Sequence, residues 1–353
     1  MTRKILLSGY YGFNNAGDEA VLAALVQLLR RNLSDIEIVA LSAAPNETAE
    51  RLNIRGIDRW NGAVLKKELD RAALFCSGGG SLLQDVTSVR SVYFYTSQIM
   101  QARRHNVPAI VLAQGLGPLK TAPGRWLVKK ALKQCRFLSW RDADSCALAG
   151  KLGLGSVPNY QVCDPVLLWE QSDVADGPRA EIYSNRVVMA LRPWPGLACD
   201  EIVRLVRHLS AAGREVIFLP FYCKADGSGE DEKLAAELNE RLGSDAVEVR
   251  HPHTPEEAMQ EIACAGLLLG MRLHSLIMAA ARGVPSAAIS YDPKVTAFAQ
   301  AEGIPLLDGG VKFQAEAAAE AVAANIGKRS SGRKEAWQTA WQPVLAEIEK
   351  ILR

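Results

Sequence analysis

"KILLSGYYGFNNAGDEAVLAALVQLLRRN", Lys4 to Asn32, decides the fold. It begins with a short apolar run that closes on glycines, which reads as a buried strand. From Asp18 onward the apolar residues recur at helical spacing. Asp18 and Glu19 stand where the N-terminal dipole of a helix favours acidic side chains. A strand, a glycine turn and a helix form the repeating unit of a parallel sheet. Further strand-like runs follow in "IEIVALS", "AALFCSG", "PAIVLAQG" and "RFLSW", alternating with helical patterns.

The polar stretch "EQSDVADGPRAEIYSN", Glu170 to Asn185, carries Gly177 and Pro178 and reads as a linker. The alternation then restarts with "RVVMALRP", "EVIFLPF", "AVEVRHP", "GLLLG" and "SAAISYD". The expected architecture is α/β: two Rossmann-like doubly wound domains facing a cleft, as in GT-B folds. The expected boundaries are 1–170, a linker at 171–185, a second domain at 186–327 and a closing helix at 333–353. Along that helix Trp337, Trp341, Val344, Leu345, Ile348 and Leu352 form one stripe. The stripe is expected to pack back on the first domain, with a kink at Pro343.

Composition narrows the function classes. The 353 residues carry a net charge of +2, with 48 % hydrophobic, 23 % charged and 7 % aromatic residues. Neither the charge nor the aromatic content points to nucleic acid. Seven scattered cysteines contain no CxxC pair, which fits buried thiols in a reducing compartment. The apolar run at the N-terminus is too short for a signal peptide, and no stretch is long enough to span a bilayer. A cytoplasmic protein is expected.

Ligands of doubly wound sheets bind at the carboxyl ends of the strands, so the loops there carry the candidates. In "SGYYGFNNAGDEAVL" the glycines Gly9, Gly12 and Gly17 permit tight turns, but GxGxxG and a Walker lysine are both missing. Asn14, Asn15 and Asp18 suit the hydroxyls of a sugar or nucleotide. "CSGGGSLLQD" offers Gly78, Gly79 and Gly80 either as a phosphate cradle or as a plain turn. "LSWRDADSCALAG" places Arg141 just past a strand, with Asp142 or Asp144 to cap the next helix. In "GMRLHSLIMAA", Arg272 and His274 sit where a helix begins, an unfavourable place for positive charge. Something negative must offset them. "ISYDPKVTAF" adds Lys294 at a neighbouring strand end. Together these groups suit a small, multiply charged anion. "RHPHTPEEA" holds His251 and His253, but the sequence shows no third ligand at suitable spacing, so no metal is expected.

The motifs "GYYGFNNAGDEAVL", "SGGGSLLQD", "AQGLGPL", "SWRD", "GMRLHSLIMAA" and "YDPKV", in this order, resemble the polysaccharide pyruvyl transferases. The likeness runs from about Lys4 to Phe298 and is greatest to the cell-surface, CsaB-like ketal-pyruvyltransferases. It implies phosphoenolpyruvate as co-substrate, with no cofactor. The pyruvyl group would pass to two hydroxyls of one sugar, forming a cyclic ketal and releasing phosphate. The implied acceptor is an N-acetylmannosamine residue of a lipid-linked cell-wall precursor, bridged between O4 and O6. The first domain would face the acceptor and the second the donor. Arg141, Arg272 and Lys294 would hold phosphate and carboxylate, with His274 or Lys294 as general acid. Gly12, Asn14, Asn15, Asp18, Gly78, Gly79, Gly80 and Gln114 would bind substrate.

Two other readings stand beside this one. A GT-B nucleotide-sugar glycosyltransferase needs an acidic ribose ligand in the second half. Asp292 is the only neighbour, and Pro293 makes it a turn residue. A non-catalytic sugar-phosphate-binding protein would bind without turnover. Finally, Lys328, Arg329, Arg333 and Lys334 form either a solvated loop or a peripheral contact with the anionic inner face of the membrane.

Overall fold

β1 (Arg3–Tyr11) is buried along almost its whole length, as an inner strand of a parallel sheet must be. The computed structural model describes residues 2–86, 88–170, 183–224, 227–243, 247–309, 312–329 and 333–353. The chain forms two units. The first comprises Met1–Phe13, Asp18–Trp169 and Arg333–Arg353, and the second comprises Asn14–Gly17 and Glu170–Gly332.

In the first unit β1 is joined by β2 (Ile36–Ser42), β3 (Arg55–Asp58), β4 (Leu74–Gly78), β5 (Ala109–Gln114), β6 (Leu138–Trp140) and β7 (Asn159–Gln161). All pairings are parallel, in the order β3-β2-β1-β4-β5-β6-β7. Leu6 pairs with Val39 on one side and Phe75 on the other, and all three are fully buried. The helices are α1 (Ala16–Asn32), α2 (Pro45–Leu52), α3 (Gly62–Leu69), α4 (Val89–Arg104), α5 (Ala122–Leu132) and α6 (Ala143–Lys151). The strand order reverses between β1 and β4, which marks the crevice where such sheets take ligands.

The second unit repeats the plan with β8 (Tyr183–Ala190), β9 (Glu215–Phe218), β10 (Glu248–Val249), β11 (Ala265–Gly270), β12 (Ser286–Ser290) and β13 (Leu306–Asp308). Their order is β10-β9-β8-β11-β12-β13, and the reversal falls between β8 and β11. Its helices are α7 (Cys199–Ala211), α8 (Glu230–Leu242), α9 (Pro255–Cys264), α10 (Leu273–Ala281), α11 (Pro293–Glu302) and α12 (Ala315–Asn325). Val187, Met189, Leu267, Leu269, Ala287 and Ile289 form the apolar centre of its sheet.

The last helix, α13 (Lys334–Leu352), belongs to the first unit, where it touches β7 and the 3-10 turn Pro165–Leu168. Its buried residues are Trp337, Trp341, Val344, Leu345, Ile348 and Leu352, and the helix continues through Pro343.

Some expectations need correction. The linker expected at 171–185 ends earlier, because β8 already begins at Tyr183; residues 171–182 lie outside the described residues. Strands β3, β7 and β13 were not anticipated. The basic cluster before the last helix is not uniformly solvated, because the Arg329 guanidinium donates to the carbonyls of Ala263, at 2.6 Å, and Ala265, at 3.0 Å. That cation is tied to the end of α9. No described helix is long and apolar enough to cross a membrane. All seven cysteines are free thiols, and burial pushes the Cys76 and Cys135 thiols up.

Candidate active site

In the first unit the reversal point lies between the turn after β1 and the glycine loop after β4. Buried Tyr11 ties them together, its hydroxyl donating to Gly78 O at 2.6 Å. Gly12 needs its glycine, since φ is +77°. Its N–H donates to the Glu19 carboxylate at 2.6 Å, and Arg51 holds the other oxygen at 2.9 Å. Asn14 adopts φ +55°, a conformation asparagine tolerates better than most residues, and it is exposed.

The triple glycine is less open than a phosphate cradle requires. Gly78, Gly79 and Gly80 are buried, and a Cβ on Gly79 would overlap Val21 of α1. The Gly79 N–H is already donated to Leu112 O at 2.9 Å. Close packing on α1 therefore accounts for the glycine at position 79, and a three-amide cradle is not formed. Gln114 is fully buried, its Nε2 donating to Ser77 Oγ at 2.7 Å, while its Oε1 accepts no hydrogen bond. Just before it, Ala113 takes φ +50° where the β5–β6 register shifts. Such a bulge re-aims the strand end.

Arg141 follows β6. It is buried, and its charge is matched locally: Nη1 lies 3.2 Å from Asp164, Nε 3.7 Å from Asp142, and Nη2 donates to Ser81 Oγ at 2.8 Å. Asp142 also caps α6 through Ser145 N. Arg141 thus fastens the loop after the glycines.

The sequence reading missed Arg59, which follows β3. It is 5 % exposed, and its guanidinium donates to Gly9 O at 2.9 Å and Tyr95 Oη at 3.0 Å. The rings of Tyr10, Phe13, Trp60, Phe94 and Tyr95 surround it, with centroids 4.8 to 5.9 Å from Cζ. Among the described residues no carboxylate pairs with it, so the aromatic faces and two oxygens stabilise the charge. Trp60, at the surface of this cluster, is 64 % exposed.

In the second unit the reversal point is flanked by the turns after β8 and β11. Arg272 is the N-cap residue of α10 and His274 lies in its first turn. Asp231, on the first turn of α8, meets Arg272 with both oxygens, to Nη2 and to Nε, the latter at 3.0 Å. The Asp231 side chain is 1 % exposed. It also accepts from the amides of Phe221 and Tyr222, each at 3.1 Å. This carboxylate, not a ligand alone, offsets the cation at the helix start. Nη1 of Arg272 remains without a hydrogen bond among the described residues. Asn15 bridges Tyr222, Ala16 N donates to Phe221 O at 2.9 Å, and a Cβ on Gly17 would overlap the His274 ring.

Lys294 lies in the first turn of α11, 41 % exposed and 3.6 Å from Asp292. Asp292 caps that helix by accepting from Lys294 N at 3.0 Å. Arg192, just after β8, escaped the sequence reading. Its Nη1 donates to Tyr291 Oη at 3.1 Å, its Cζ lies 5.2 Å from that ring, and its Nε is buried without a partner. Among the described residues no carboxylate pairs with it. Arg192, Arg272, His274 and Lys294 therefore stand at the carboxyl ends of adjacent strands β8, β11 and β12.

A family profile described as polysaccharide pyruvyl transferase matches residues 15–293. No curated protein sequence matches the chain. Among solved structures, similar folds include the UDP-GlcNAc 2-epimerase of Methanocaldococcus jannaschii, with TM-score 0.64, 12 % identity, and coverage of 98 % of this chain and 100 % of that one. Anabaena HepE, solved in complex with UDP-glucose, gives TM-score 0.60 and 14 % identity, covering 98 % and 99 %. A Siraitia grosvenorii transferase in complex with UDP gives TM-score 0.56 and 13 % identity, covering 99 % and 100 %. At these identities the likeness is one of GT-B-like fold.

Proposed function

The chain belongs to the polysaccharide pyruvyl transferase family, and we propose that it transfers the pyruvyl group of phosphoenolpyruvate to two hydroxyls of one sugar as a 4,6-ketal. The acceptor proposed is N-acetylmannosamine of a lipid-linked cell-wall precursor, met at the inner face of the membrane. The observation that carries this reading is the group of basic side chains at the reversal point of the second unit. Phosphoenolpyruvate brings about two to three negative charges, and such an anion needs cations when it leaves water. Among the described residues Arg192 has no carboxylate partner and Nη1 of Arg272 makes no hydrogen bond. Lys294 stands on the next strand end, beside the start of α11. Helix N-termini add favourable dipoles.

The chemistry asks for one proton donor. His274 gives a proton to the methylene carbon, leaving C2 with oxocarbenium character. The first sugar hydroxyl attacks C2 and returns a proton to His274. The C2–O bond to phosphate then breaks, the arginines stabilise the departing phosphate, and the second hydroxyl closes the ring, its proton passing to that phosphate. Asp292 supports this reading over a nucleotide-sugar transferase, because its carboxylate is engaged in capping α11.

On the first unit, Asp18 would meet acceptor hydroxyls and exposed Trp60 offers a ring face to a sugar; Asn14 and Asn15 belong to the second unit. Arg141 would act through Ser81, shaping this acceptor side. The test is phosphate release from phosphoenolpyruvate with the candidate sugar. Release that depends on both substrates is expected, with Trp60→Ala raising the acceptor KM about tenfold and leaving the donor KM unchanged. No acceptor-dependent release, or turnover of a nucleotide sugar instead, would overturn the assignment.

A further inference from the structure

Cys223, Glu232 and His251 come from three separate elements of the second unit: the segment after β9, the first turn of α8, and the segment after β10. Their sulfur, carboxylate oxygen and ring nitrogen all lie within 4.8 Å of one another. We propose that Cys223 Sγ, Glu232 Oε1 and His251 Nδ1 bind a divalent metal of the zinc class, leaving a fourth position open.

The donor chemistry fits. One thiolate, one imidazole and one carboxylate form a mixed set that a borderline-soft cation accepts, with bonds of about 2.3 Å to sulfur and about 2.0 Å to nitrogen and oxygen. Ligands of a tetrahedral site with such bonds lie roughly 3 to 4 Å apart. His251 Nδ1 and Glu232 Oε1 are 3.1 Å apart. The carboxylate is already oriented: its Oε2 accepts from Gly229 N at 2.9 Å and Lys224 N at 3.1 Å, so Oε1 is the oxygen turned to the imidazole. Hydrogen bonds of this kind hold metal ligands in place.

The charge fits as well. The Glu232 side chain is 7 % exposed, and among the described residues its only ionic partner is His251. A cation at this point offsets the Glu232 carboxylate, and the Cys223 thiol releases its proton to solvent as the Sγ–metal bond forms.

The site also has a consequence. Glu232 is the chain neighbour of Asp231, which holds Arg272 and the amides of Phe221 and Tyr222. A metal joining Cys223, Glu232 and His251 braces the segment from Phe221 to Cys223 and, through Asp231, the orientation of Arg272. The metal is a support and takes no part in the transfer, so the inference stands whatever substrate the protein uses.

Cobalt(II) is a suitable probe, titrated into the full-length protein after removal of metal with a chelator. The expected result is one equivalent bound, with the strong visible bands of a tetrahedral site and a thiolate-to-cobalt band in the near ultraviolet. Zinc should abolish both. Cys223→Ser should remove the thiolate band. His251→Ala, a change at a half-exposed side chain, should weaken binding by more than the roughly 10–100-fold that losing a supporting hydrogen bond costs. Only the weak spectrum of hydrated cobalt, or a thiolate band that persists in Cys223→Ser, overturns the proposal. A thermal shift gives a second reading: zinc should raise the Tm of the wild type and leave that of His251→Ala unchanged.

Discussion

An arginine at the start of a helix is a local electrostatic conflict, and Arg272 shows how the conflict is resolved. Asp231 meets its guanidinium from α8 and holds two backbone amides as well. Removing that carboxylate leaves a largely buried cation with no other ionic partner among the described residues. Asp231→Ala should therefore cost about 3–5 kcal/mol in urea unfolding. A loss below about 1 kcal/mol would show that the pair contributes little. His274 belongs to a different category, since its role lies in proton transfer. His274→Ala should keep the fold, read by circular dichroism, and lower kcat by about 10²–10⁴. A folded variant with nearly wild-type turnover would remove His274 from the chemistry. Some of these side chains were legible in the sequence and others were not. Arg272, His274 and Lys294 were visible because they sit beside apolar runs that end in turns. Arg192 and Arg59 were hidden, because nothing in "ALRPWPG" or "GIDRWNG" says that no carboxylate will come near. That fact depends on the tertiary surroundings.

Secondary elements divide along similar lines. The strands legible in the sequence are mostly inner strands, whose unbroken apolar runs declare burial on both faces. β3, β7 and β13 were missed, and each is an edge strand. "RGID", "NYQ" and "LLD" are short and only partly buried, so they carry no periodic signal. Likewise the glycine loop after β4 was ambiguous in sequence, because a glycine needed for helix packing looks the same as one needed for a ligand. The α13 stripe was readable because its spacing is helical and its residues are large. Its anchor is Trp341, 1 % exposed. Trp341→Ala should destabilise the protein by about 3–5 kcal/mol through the cavity it leaves. A midpoint of unfolding unchanged from wild type would mean that the helix adds nothing to the first unit.

Both units of the whole molecule place their candidate groups where the strand order reverses, between β1 and β4 in one and between β8 and β11 in the other. That coincidence follows from topology: neighbouring loops diverge at such a point and leave room for a ligand. The two-unit plan was readable from the restart of the β/α alternation after Asn185, whereas the gathering of Cys223, Glu232 and His251 was not, because three elements far apart in sequence supply it. The central claim is that the second unit holds phosphoenolpyruvate at its reversal point, with Arg192, which has no carboxylate partner among the described residues, as one of its cations. The most direct measurement is calorimetric titration of phosphoenolpyruvate into wild type and Arg192→Ala, each with acceptor sugar present. Charge-assisted hydrogen bonds contribute about 1.5–3 kcal/mol, so the variant should bind the donor roughly 10- to 150-fold more weakly while binding the acceptor as before. Equal donor affinity in the two proteins, or no donor binding by the wild type, would contradict the account.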